Sequence, residues 1–190
     1  MRLAILATTS LCESHVAWLT AKEPSDKLDT SCKLFLTLYA ALIMIALIQR
    51  VTSAQVEVAQ EVIGSINRGI LLFLGIDRSD NHIQADRLLQ RVLNYRLFAD
   101  AQQRMNLNLQ DIHGQLLIVS QFTLVADTRK GNRPSFTNAA PPAIAYERYT
   151  YFIQQARHRL GEDRVATGSF GADMQVKLIN DGPVTFWLEA

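Results

Sequence analysis

The chain has 190 residues, 48% of them apolar and 19% charged, with a formal net charge of +1. That is enough for one domain with a real core and too little for two, and it excludes disorder over most of the chain. Without a charge excess, any nucleic-acid contact has to come from a local basic patch.

Both cysteines, Cys12 and Cys32, lie in residues 1–43, and the remainder has none. Two thiols make neither a disulfide framework nor, alone, a zinc site, and a cysteine-free body suits a cytoplasmic protein. Residues 1–43 show no clear period. Within and beyond them, Leu34 to Gln49 carries no formal charge. A membrane span needs roughly 20 apolar residues, and this run is shorter and includes Thr37 and Gln49. A secretory signal needs a basic start and a small-residue cleavage site, which this internal run lacks. The reading preferred here is a composite, with a strand starting at Met44 behind unrelated apolar sequence. Residues 1–43 are then an N-terminal extension, non-native or dispensable, and 44–190 the domain.

Ile45 to Val58 is β-branched and alternates near its end, which predicts one long strand or two short ones. Gly69 to Ile76 is a continuous apolar run between glycines, the pattern of a strand buried on both faces. Ser79, Asp80 and Asn81 are capping residues, and Ile83, Leu88, Leu89, Val92 and Leu93 recur behind them at helical spacing, predicting a helix over 81–96. Gln115 to Ala126 reads as a strand, and Asp127 to Ala140 as a polar loop. Pro141 and Pro142 open a second helix with the stripe Ala145, Tyr149, Phe152, Ile153, Ala156 and Leu160, ended by the turn at Gly161. Strands over Asp173–Ile179 and Val184–Leu188 follow, separated by Asn180-Asp181-Gly182-Pro183. The fold class is α/β: a single compact domain with a layered, largely antiparallel or mixed sheet and two main helices.

The chemistry is sparse. His15, His82, His113 and His158 have no carboxylate or cysteine at ligand spacing, so no metal is expected. There is no G-x-S-x-G elbow and no glycine-rich phosphate loop. Three features remain. In Ser120-Gln121-Phe122-Thr123 a strand's alternation puts Gln121 and Thr123 on one face, either satisfying each other or serving a site. Gly182-Pro183 is either an ordinary turn or a rigid pair of carbonyls. Arg129, Lys130 and Arg133, with Phe136 nearby, form either a solvated loop or a phosphate-contacting patch.

Together these residues closely resemble the D-aminoacyl-tRNA deacylase family. The resemblance runs from Met44 to the C-terminus. It is carried by Ile48-Gln49-Arg50-Val51, Asn106-Leu107-Asn108, Ser120-Gln121-Phe122-Thr123-Leu124, Asp127 to Phe136, Phe170-Gly171-Ala172-Asp173-Met174 and Asn180-Asp181-Gly182-Pro183-Val184-Thr185. Two departures stand out: residues 1–43 have no counterpart, and the first hairpin turn, at Ala59-Gln60, lacks the usual Asn-Gly or Asp-Gly pair.

The resemblance implies an editing hydrolase that cleaves the ester between a D-amino acid, or glycine, and tRNA. It implies a cytoplasmic homodimer with two interface sites, each taking the Ser-Gln-Phe-Thr strand from one subunit and a cis Gly182-Pro183 from the other. That pair would exclude L side chains. Gln121, Phe122 and Thr123 would be catalytic; Ser120, Phe136, Met174, Asn180, Gly182, Pro183 and Thr185 would bind substrate; Arg50, Arg129, Lys130 and Arg133 would hold tRNA. The tRNA's own 2′-hydroxyl would assist, with no cofactor, metal, DNA or membrane involved. The competing expectation is a non-catalytic dimeric RNA-binding module of the same fold.

Overall fold

A computed structural model of the chain describes residues 44–190 except Lys130. The extension proposed for residues 1–43, with most of the apolar run from Leu34, lies outside the described residues. All described residues belong to one compact unit.

The strands are β1 (Ile45–Val58), β2 (Glu61–Ile66), β3 (Gly69–Gly75), β4 (Phe98–Ala99), β5 (Met105–Leu107), β6 (Gln115–Ser120), β7 (Val165–Thr167) and β8 (Gln175–Glu189). The helices are α1 (His82–Asn94) and α2 (Pro142–Leu160). β1 is the spine. One edge pairs along its length with β8; on the other edge its first half pairs with β3 and its second half with β2, all antiparallel. β6 and β7 extend the sheet beyond β3 in parallel. The expected mixed α/β sheet is therefore what forms.

β3 is buried on both faces, as its unbroken apolar sequence requires. Ile70, Leu72 and Leu74 join the larger core with Leu88, Leu89 and Val92 of α1 and Phe152 and Ala156 of α2. Leu71 points into a second cluster with Val51, Val56, Leu117 and Val119. Each such buried aliphatic side chain contributes roughly 1.5–3 kcal/mol. α1 starts where the capping residues put it: Asn81 Oδ1 accepts from the Ile83 N–H at 2.8 Å and Gln84 Oε1 from the Asn81 N–H at 3.0 Å. α2 carries Arg157, His158 and Arg159 in its last turn, where cations suit the helix dipole.

Two expectations need correction. The strand expected over 115–126 ends at Ser120, and Phe122–Val125 is a 3₁₀ turn, so period-two alternation does not describe Gln121 and Thr123. The two C-terminal strands are one, β8: β1 is long enough to pair with both arms, leaving Asp181 to Val184 as a bulge. β4, β5 and β7 were not anticipated, being two or three residues long. The hairpin at Ala59 and Gln60 does form, with both residues left-handed at φ 50° and 70°. Among the described residues no helix is long and apolar enough to cross a membrane.

Candidate active site

β6 and β7 run parallel through Ile118 and Thr167 and then diverge. A cavity of about 680 Å³ opens beyond the divergence. Its walls come from four stretches: Leu74 and Ile76 at the end of β3, Val119 to Phe122 at the end of β6, the segment from Phe136 to Ala145, and Phe170 to Val176. Among the described residues every lining side chain is neutral, and Ser120 and Gln121 are the only polar ones.

The Ser120–Thr123 ledge is anchored to β3. Gln121 N–H donates to Leu74 O at 2.8 Å, continuing the ladder one residue past the strand. Gly75 lies under the 3₁₀ turn, where an added Cβ would be 2.8 Å from Leu124 Cβ. Phe122 and Thr123 begin that turn, and their N–H groups have no backbone acceptor among the described residues. Gln121 Nε2 donates to Thr123 Oγ1 at 2.5 Å. The two side chains thus satisfy each other at the surface, not in the interior as expected of a buried strand. Phe122 is 60% exposed and packs against Phe136 with ring centroids 5.1 Å apart. Of the residues expected to bind substrate, Ser120, Phe136 and Met174 line this cavity.

Asn180, Gly182, Pro183 and Thr185 are elsewhere in the chain. Gln49 pairs with Thr185 and Val51 with Asn180, so four residues of β8 bulge opposite Arg50 alone. The Gly182-Pro183 peptide is cis, and Gly182 has φ +131°. The bulge is held from several sides. Asn180 Oδ1 accepts from Val184 N–H at 2.8 Å, and Thr185 Oγ1 accepts from Asn180 Nδ2 at 3.0 Å and Gln49 Nε2 at 3.2 Å. Arg50 Nε donates to Asp181 O at 3.0 Å and lies 3.1 Å from Asp181 Oδ2, while Nη1 donates to Leu97 O at 2.6 Å. Arg50, expected from the resemblance to hold tRNA, is set against the bulge in this chain. Its side chain is 13% exposed and committed to the bulge.

Following the register, the bulge lies opposite Arg50, Ile70 and Leu116, while the ledge begins four residues further along β6. Three interstrand steps and four residues of rise separate them by roughly 20 Å along the sheet. Within one chain they cannot touch a common ester.

The basic loop is closed by backbone bonds between Asp127 and Ser135 at 2.8 and 3.0 Å. Arg129 is 83% exposed but forks onto Asp127 through Nε at 2.9 Å and Nη2 at 2.8 Å. Arg133 is exposed, and Lys130 lies outside the described residues. Among the described residues no group of three or more His, Cys, Asp or Glu side chains is placed to hold a metal.

Sequence reasoning missed the Asp77–Asp80 turn, which backs the cavity wall by pairing Asp77 with Ala139. Asp80, read as a possible cap, is fully buried; its Oδ2 accepts from the Asp77 N–H at 2.7 Å. Burial, reinforced by the Asp77 carboxylate and countered by the Asp77 hydrogen bond and Arg148, pushes its carboxyl up to about 7. It also missed Ala139, Ala140 and Ala145 as lining, since nothing in their pattern separates them from ordinary helix-flanking alanines.

The family model for D-Tyr-tRNA(Tyr) deacylase matches residues 47–189. The D-aminoacyl-tRNA deacylase of Haemophilus influenzae (strain PittGG) is 59% identical over 145 residues, covering 76% of this chain and 99% of that protein. The one from Cellvibrio japonicus (strain Ueda107) is 60% identical over 146 residues, covering 77% and 99%. Among solved structures, the c-Myc DNA Unwinding Element Binding Protein aligns with a TM-score of 0.74 at 39% identity over 77% of this chain and 98% of that one. A probable eukaryotic D-amino acid tRNA deacylase aligns at 0.68 and 18% identity over 78% and 100%, a likeness of fold.

Proposed function

The chain belongs to the D-Tyr-tRNA(Tyr) deacylase family, its activity is hydrolysis of D-aminoacyl-tRNA, and from that premise we propose how its site carries the reaction. The ester between a D-amino acid and the terminal adenosine lies across the mouth of the cavity. Phe122 and Thr123 supply the N–H donors for the ester carbonyl. Their freedom from backbone acceptors supports that role, because donors already in place when the tetrahedral oxyanion develops stabilise the transition state without reorganising. Water adds to the carbonyl, the bond to the ribose oxygen breaks, and that oxygen takes the proton; the products are the free amino acid and uncharged tRNA.

The observation that carries the mechanism is the lining itself: among the described residues it has no ionisable side chain. Thr123 has only the Gln121 amide beside it and no base to make it a nucleophile. The group that activates water is then on the substrate, the ribose 2′-hydroxyl next to the ester. The test is a D-aminoacyl-tRNA ending in 2′-deoxyadenosine. It should react at least about 100-fold more slowly, the usual worth of general acid–base assistance. Equal rates would refute substrate assistance.

Selection against L-amino acids comes from a second copy of the chain. The separation of bulge and ledge supports this: both can serve one ester only if two copies contribute one each. Gly182 and Pro183 of the second copy form a wall that an L side chain strikes and a D side chain avoids, specificity by repulsion. A ledge variant and a bulge variant, each inactive alone, should restore activity when co-refolded, and failure to do so would sink the shared site. Arg129, Lys130 and Arg133 contact the tRNA backbone, so replacing all three should raise KM and flatten its salt dependence.

The protein works in the cytoplasm, and residues 44–190 suffice. Met44 is fully buried and exchanges backbone hydrogen bonds with Ala190 at 3.1 Å each way, which supports a domain boundary at that residue. A protein starting at Met44 should match the full chain in activity and melting temperature.

A further inference from the structure

We infer that Tyr149 is a positioning residue that sets the width of the cavity from outside it, acting where β6 and β7 part. This rests on the cavity being the place where the terminal adenosine of the substrate sits. Tyr149 comes from α2, is 3% exposed and does not line the cavity. Its hydroxyl donates to Ile118 O at 2.9 Å and lies 3.5 Å from Gly168 O. Those carbonyls belong to the last residue of β6 that pairs with β7 and to the first residue beyond β7. Gly168 N–H also donates to Ile118 O, at 2.9 Å. One hydroxyl thus sits at the vertex of the divergence, touching both arms.

Past that vertex one arm becomes the ledge and the other becomes the opposite wall, Phe170 to Met174. The second arm leans on the same side chain. The Phe170 ring packs on Tyr149 with centroids 5.7 Å apart and edge-on to Tyr146 at 5.4 Å. Gly168 is close-packed on Met174: an added Cβ would be 2.7 Å from its sulfur. Burial raises the phenol's pKa, so the hydroxyl stays a donor across the working pH range.

The two arms depend on Tyr149 unequally. The ledge has its own anchors, Gln121 on Leu74 O and the turn against Gly75. The Phe170 wall has none of these. Losing the hydroxyl therefore loosens the wall and leaves the ledge in place, which separates binding from chemistry. It also leaves limited structural damage, because Ile118 O keeps the Gly168 N–H and only the half-buried Gly168 O gives up its contact, on the wall arm.

The experiment compares wild type, Tyr149→Phe, Phe170→Leu and the double variant in deacylation of D-Tyr-tRNA, with thermal melts and calorimetric titration of adenosine. Tyr149→Phe should raise KM about tenfold with kcat changed less than about twofold, and the melting temperature should move by no more than about 4 °C. The adenosine Kd should rise in parallel, and the double variant should be non-additive because both changes act on one wall. An unchanged KM overturns the inference. So does a kcat that falls in step with the melting temperature, which a purely structural role would give. If the wild type releases no tyrosine, the reading of the reaction fails and adenosine decides the rest: an equal Kd for wild type and Tyr149→Phe, or no binding by wild type, also overturns the positioning role.

Discussion

Replacing Asp80 with asparagine should change how stability depends on pH while leaving the fold intact. The carboxyl is fully buried, one oxygen accepts from the Asp77 N–H at 2.7 Å, and Oδ1 has no partner among the described residues. Burial is the main reason it titrates near 7 and not near 3.8; the Asp77 charge adds to that, and the Asp77 hydrogen bond and Arg148 oppose it. Between these values the unfolded carboxyl is ionised while the folded one keeps its proton, so folding takes up a proton. Stability then falls as pH rises from about 4 to about 7 and is level above. A gap of about three units, at about 1.4 kcal/mol each, makes the folded state about 4 kcal/mol less stable at pH 8 than at pH 4 through this group alone. For a chain of this size that is a melting-temperature change of roughly 8–16 °C.

Asparagine has the shape of the protonated acid, keeps an acceptor for Asp77, and cannot ionise. The measurement is the melting temperature of Asp80→Asn minus that of wild type, from pH 4 to 8. Taking the difference cancels every other titrating group. It should be small at pH 4, grow in favour of the variant by roughly 2–4 °C per pH unit from there to about pH 7, and level off by pH 8. A difference that stays flat across the range would mean that Asp80 is ionised in the fold at pH 5, and the burial argument would be wrong.

Gln60 sits at φ 70° in the first hairpin, where an L side chain costs about 1–2 kcal/mol, so Gln60→Gly should raise the melting temperature by a few degrees after the glycine's entropy is subtracted. Gly182 stands at φ +131°, and a Cβ there would be 2.6 Å from Val184 Cγ2 and 3.1 Å from Arg50 Nη2. Gly182→Ala should therefore displace the bulge, cost about 1–3 kcal/mol in a melt and erode the ratio of D to L turnover. Gln121→Ala and Thr123→Ala remove side chains that reach solvent and should leave the melt within about 0.5 kcal/mol, yet slow turnover by about 10- to 100-fold through loss of positioning.

How far the sequence alone reaches is clear from particular elements. β3 was legible because no polar residue interrupts it, and α1 because a capping residue, Asn81, precedes apolar residues at helical spacing. The end of β6 was not, since Ser-Gln-Phe-Thr-Leu alternates as a strand would; the chain turns there because Gly75, distant in sequence, leaves room for Leu124. The bulge reads locally as a turn. Only the length of β1, which pairs with both arms, makes it an excursion within one strand. Arg50 reads as a free cation until Asp181 and Leu97 are seen around it. The cavity was half visible: Ser120, Gln121, Phe122, Phe136 and Met174 were named from the resemblance, and the alanines and prolines that close it were not.

A wall that selects by exclusion has a consequence that a pocket for D side chains does not. Glycine has nothing to collide with, so a site guarded only by Gly182 and Pro183 must hydrolyse glycyl-tRNA as well as D-alanyl-tRNA. It must also be nearly indifferent to the size of a D side chain, because that group points away from the lining. A recognition pocket would reverse both: each added methylene would contribute about 1 kcal/mol, and glycine, filling nothing, would be the poorest substrate. Turnover of glycyl-, D-alanyl-, D-phenylalanyl- and L-alanyl-tRNA on one enzyme preparation separates the two. Exclusion predicts comparable rates for the first three and a large gap to the fourth. A glycyl rate far below that of D-phenylalanyl would show that the D side chain is bound rather than merely tolerated, and the wall would lose its role as the source of chirality.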